Sequence, residues 1–145
     1  MAIRVPALRV DHLSVAVHSL ERALERFRRL LPVRMRVDPR EGYDDQFRWT
    51  DFYVGDWKLE LIESARPGSF VERFLARRGE GFHHVAIDVD RLDPLVERLA
   101  ADGMDVVERA DLGGGRKTAF LHPRGAHGVL LQFWQEPEFG GPRRD

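Results

Sequence analysis

Four side chains able to bind a metal occupy equivalent positions in two stretches of this chain. His12 opens HLSVAV and His84 opens HVAIDV, while Glu60 sits in KLELIE and Gln132 in LLQFWQ. The spacing agrees for both pairs, since 84 − 12 = 132 − 60 = 72. Self-similarity at a fixed offset is the signature of a duplicated unit. Two imidazoles, one carboxylate and one amide oxygen suit one divalent cation, with positions left open for water or a substrate. Taken singly, His12 reads as a hydrogen-bonded structural histidine and Glu60 as an exposed strand residue; the pairing favours ligands. Mixed nitrogen and oxygen donors suit Co, Zn, Ni, Mn or Fe alike.

The elements that must position these groups follow from periodicity. Leu20, Leu24 and Phe27 keep the helical period after Ser19, a suitable N-cap, and Pro32 stops the run. At the same offset, Leu92, Val96 and Leu99 define a second helix after Asp90, ending near Gly103. Between them Ser69 and Glu72 form an S-x-x-E capping box for a short helix closed by Gly79. The remaining apolar segments alternate with period two, as half-buried strands do. Eight are expected, over roughly 8–17, 33–37, 47–54, 57–63, 82–89, 104–108, 117–122 and 128–134, with a hairpin at Gly55-Asp56. Each half then reads strand, helix and three strands.

This predicts an α+β fold: two βαβββ modules forming an open, curved eight-stranded mixed sheet. A single domain over 1–145 divides into a first module at 8–63, a linker helix within 64–81, a second module at 82–135 and a flexible tail at 136–145. Alternation places Leu13, Val15 and Val17 toward a helix and His12, Ser14 and Ala16 on the opposite face. Val85, Ile87 and Val89 stand against His84, Ala86 and Asp88 in the same way. Small residues beside each histidine predict a cavity. His83 is out of phase with His84 and reads as structural or solvent-facing, and His122 sits near a turn at Pro123.

Composition narrows the classes. Cys is absent, which excludes a thiolate metal site and a cysteine nucleophile and suits a reducing compartment. No apolar run approaches the roughly 20 residues that span a bilayer, and the N-terminal residues lack an apolar signal core. A cytoplasmic protein with no membrane partner is expected. With 23 basic and 24 acidic residues the net charge is −1, so nothing draws the chain to nucleic acid.

At these residues the chain resembles the vicinal oxygen chelate superfamily, which includes glyoxalases, extradiol dioxygenases, antibiotic-resistance proteins and methylmalonyl-CoA epimerases. DHLSVAV, SFVERFLARRGEGFHHVAIDVD and GGGRKTAFLHPRGAHGVLLQFWQ carry the resemblance, which is nearest to the epimerases. It implies metal ligands at His12, Glu60, His84 and Gln132 and a catalytic acid/base at Asp44 or its neighbour Asp45. It also implies a homodimer and a small-molecule substrate such as an acyl-CoA. Arg116 and Lys117 are expected to bind a substrate carboxylate or phosphate, with His122 as a further contact.

Two departures bear on the chemistry. The family generally has Glu where this chain has Gln132, and an amide cannot exchange protons as that carboxylate does. Glu60 stands where some epimerases have Gln, so carboxylate and amide look exchanged between modules, and Glu60 becomes a second candidate base. The resulting expectation is a metal-dependent epimerase or isomerase acting through an enolate. The alternatives are a glyoxalase-type lyase, an iron-dependent dioxygenase, and a non-catalytic small-molecule-binding or resistance protein.

Overall fold

A computed structural model describes residues 8–31, 34–35, 40–41 and 45–138. The chain separates into two compact units, His12–His83 and a second made of Met1–Asp11 with His84–Asp145. The division falls inside two strands, immediately before His12 and immediately before His84.

In the first unit, β1 (Leu8–Ala16) leads through α1 (Leu20–Leu30) to two short strands, β2 (Arg34–Met35) and β3 (Arg40–Glu41). The long strands β4 (Phe47–Val54) and β5 (Trp57–Ser64) follow, then α2 (Phe70–Arg78). β5 pairs parallel with β1 and antiparallel with β4, whose other edge carries β2 and β3. β3 is a strand that periodicity did not announce, since two residues are too few to alternate. Ser19 caps α1 by accepting the Arg22 N–H at 3.2 Å. One face of the sheet buries Leu61 and Phe52 under Leu20, Leu24 and Phe27 of α1. The other carries α2, whose Val71 and Leu75 cover Ala16 and Ile62. The face expected to be open beside Ala16 is therefore filled at that end.

The capping box of α2 differs in one bond. Ser69 Oγ accepts the Glu72 N–H at 3.0 Å, as expected, but the Glu72 carboxylate takes the N–H of Gly68 rather than that of Ser69. Gly79 closes the helix at φ 73°, a conformation in which a Cβ would be strained.

The second unit contains the remainder of β6 (Gly81–Val89), then α3 (Leu92–Ala101), β7 (Val106–Gly113), β8 (Arg116–Leu121), a short 3-10 turn at Pro123–Ala126 and β9 (Leu131–Gln135). β6 pairs parallel with β9, and β9, β8 and β7 are antiparallel neighbours. Leu92, Leu95 and Val96 of α3 pack on Val89, Ala119 and Phe133. Arg91 gives no side-chain cap; instead Gln135 Oε1 accepts the Leu92 N–H at 2.7 Å.

Two strand limits differ from expectation by three residues or more, each near a residue with positive φ. β7 continues past Glu108, whose φ of 51° produces a register shift rather than an end. β9 starts at Leu131 because His127 and Gly128, at φ 53° and 90°, hold the chain in a turn. Among the described residues, no helix is long and apolar enough to cross a membrane.

Candidate metal centre

In the first unit the parallel register pairs Ser14 of β1 with Glu60 of β5, and His12 lies two residues before Ser14 on the same face. His12 Nε2 stands 3.6 Å from Glu60 Oε1, with both side chains about 85 % buried, exposed by 15 % and 14 %. Ser14, fully buried, donates its hydroxyl to the same Oε1 at 2.9 Å. An imidazole and a carboxylate held this way, with a hydroxyl orienting the carboxylate, are a donor pair suited to a divalent cation.

The second unit repeats this register. Ala86 of β6 pairs with Gln132 of β9, and His84 lies two residues before Ala86. Both the aligned pair and the preceding histidine are thus displaced by the same offset seen in the sequence. Gln132 Nε2 donates to the hydroxyl of buried Thr118 at 3.3 Å. With the nitrogen so held, the oxygen is the end of the amide suited to a cation. The His84 ring meets Phe120 edge-on, centroids 6.3 Å apart. The donor chemistry of both pairs fits a divalent ion.

The other expected site residues have distinct settings. Asp44 lies outside the described residues; Asp45 is exposed with φ 58°. Lys117 Nζ contacts Asp93 Oδ2 at 2.5 Å, and Arg109 holds the other oxygen of that carboxylate. Arg116 is exposed at the glycine turn. His122 Nδ1 accepts the Arg124 N–H at 3.2 Å and so caps the 3-10 turn. His83 is packed between Phe70 and Phe74, centroids 5.4 and 4.8 Å away, and burial lowers its pKa to about 4. It is a structural residue.

Sequence reading missed Asp51, buried on β4 directly opposite Glu60. A signal for it existed. A two-residue turn at Gly55-Asp56 pairs Val54 with Trp57, and counting outward from that pair sets Asp51 against Glu60.

Fold and site together define the class. Residues 11–120 match the Glyoxalase/Bleomycin resistance protein/Dioxygenase superfamily, and the chain belongs to it. Within that class the chain is 30% identical over 126 residues to the uncharacterized protein YqjC of Bacillus subtilis, covering 86% of this chain and 89% of the relative. It is 31% identical over 133 residues to the mitochondrial methylmalonyl-CoA epimerase of Bos taurus, covering 88% and 74%. Among solved structures, a variant of Streptomyces coelicolor methylmalonyl-CoA epimerase in complex with 2-nitronate-propionyl-CoA superposes with a TM-score of 0.77 at 26% identity, covering 90% of this chain and 98% of that one. These relatives make epimerase-like activity the family-level expectation.

Proposed function

We propose that this chain is a metal-dependent isomerase of the epimerase type, moving a proton at the carbon beside a thioester carbonyl through an enolate. His12, Glu60, His84 and Gln132 are the proposed ligands of one divalent ion. The observation that carries the reading is the repeated register, Ser14 on Glu60 and Ala86 on Gln132, with a histidine two residues upstream each time. A divalent cation supplies Lewis-acid stabilisation of the negative charge that develops on a carbonyl oxygen as the α-proton leaves.

The side chains divide the remaining work. Ser14 fixes the Glu60 carboxylate, and Thr118 fixes the Gln132 amide, so both oxygens are oriented before a substrate arrives. Glu60 and Asp44 are the proposed proton-handling groups, Asp44 on the strength of the family resemblance. Gln132 cannot take that role. Arg116, with Lys117 and His122, is the proposed contact for the anionic portions of an acyl-CoA. Arg116 comes first, because Lys117 and His122 already hold Asp93 and the Arg124 N–H. A homodimer is part of the same reading, checked by light scattering.

The test is exchange of the α-proton of methylmalonyl-CoA for deuterium, followed by NMR with cobalt-loaded protein. Metal-dependent exchange supports the reading. No exchange with methylmalonyl-CoA and other acyl-CoA thioesters, despite a bound ion, overturns it.

A further inference from the structure

The antiparallel register sets Asp51 of β4 opposite Glu60 of β5, and the parallel register sets Glu60 beside Ser14 of β1. Residues paired in this way project from one face with Cβ atoms about 5 Å apart. Asp51, Glu60 and Ser14 therefore form a row across three strands, next to His12 and followed on the same face by Tyr53 and Lys58. Asp51 is 8 % exposed, and its Oδ1 is buried with no hydrogen-bond partner among the described residues. Both features work against stability. Opposed carboxylates weaken a strand pair, and a buried acceptor without a donor loses the hydration it had in water. The fold does not require a carboxylate there, since the residue opposite Gln132 in the other unit is Phe120.

A buried acceptor facing a ligand-binding carboxylate asks for a donor that arrives with the substrate. Adjacent strands are about 4.8 Å apart, so a donor reaching Asp51 must lie within a bond or two of an oxygen held beside Glu60. The group that meets both conditions on an acyl thioester is a hydroxyl on the carbon next to the carbonyl. We propose that Asp51 is a specificity-determining residue whose Oδ1 accepts a hydrogen bond from that hydroxyl, so the site takes 2-hydroxyacyl thioesters in preference to those lacking it. This rests on the metal reading above and narrows the acyl group.

The experiment compares lactoyl-CoA with propanoyl-CoA by calorimetric titration of cobalt-loaded protein, with cobalt content measured on each sample. Wild type should bind lactoyl-CoA about tenfold or more tightly, the scale of one hydrogen bond to a charged acceptor. Asp51→Leu should abolish that preference, so that lactoyl-CoA and propanoyl-CoA bind equally well. Asp51→Asn, which keeps an oxygen acceptor and the side-chain shape, should retain a reduced preference, and it serves if the leucine variant fails to fold. Cobalt-loaded wild type indifferent to the hydroxyl, or a variant without the carboxylate that retains full preference, overturns the proposal. Wild type that binds no cobalt overturns the metal reading and this inference with it, a result distinguishable from loaded protein that ignores the hydroxyl.

Discussion

Ser14 Oγ donates to Glu60 Oε1 at 2.9 Å from the neighbouring parallel strand, and that same oxygen is the one 3.6 Å from His12 Nε2. The hydroxyl therefore orients the carboxylate at the point where a cation would be met. Ser14→Ala should weaken cobalt binding by about 10- to 100-fold, the usual cost of losing an orienting partner. Cobalt titration of the folded variant checks this. Unchanged affinity would remove Ser14 from the site.

Gln132 carries the departure that matters most to proton transfer. Its amide donates to Thr118, but a glutamate there can accept the Thr118 hydroxyl instead, so the substitution is compatible with the local bonding. Gln132→Glu should raise metal-dependent α-proton exchange of methylmalonyl-CoA, by about 100-fold if the carboxylate becomes a working base. Deuterium incorporation measured by NMR decides the matter. A variant that binds metal and exchanges no faster than wild type would show that the amide is not what limits the reaction.

His83 makes stability depend on pH. Burial between Phe70 and Phe74 lowers its pKa from 6.5 to about 4, so the folded state disfavours the protonated ring. Between those values the unfolded chain binds more protons than the folded one, and stability rises with pH. The contribution is complete above pH 6.5 and is lost as pH falls toward 4. His83→Phe should flatten this dependence. Urea unfolding at pH 5 and pH 7.5 measures it, and the gap between the two midpoints should be smaller in the variant.

Asp93, in the first turn of α3, is held below the ordinary carboxylate range mainly by its hydrogen bond from Lys117 and then by that from Arg109. Its side chain is 39% exposed, so these pairs are screened by water. Asp93→Asn should lower stability by only about 0.5–1 kcal/mol, from the weakened pairs and the helix dipole. Thermal unfolding at neutral pH reads that change, and cobalt affinity should not move.

Much of this architecture was open to reading because strand alternation carries its own geometry. The parity of Leu13, Val15 and Val17 against His12 and Ser14 separates the α1 face from the ligand face, and the core clusters follow that division. The common offset between His12 and His84 likewise anticipates a register that repeats in each unit. What escaped depends on contacts between distant segments. Nothing local to Ala16 announces that α2 covers it, whereas the pairing of Asp51 with Glu60 could have been counted from the Gly55-Asp56 turn. The ends of β7 and β9 turn on backbone angles at Glu108 and His127, non-glycine residues for which positive φ is uncommon.

Cobalt titration of wild type, His12→Ala, His84→Ala and the double variant tests the central claim most directly, with circular dichroism to verify folding. The account predicts one cobalt per wild-type chain, affinity reduced at least 100-fold in each single variant, and no specific binding in the double variant. Equal cobalt affinity in wild type and the folded double variant would contradict it.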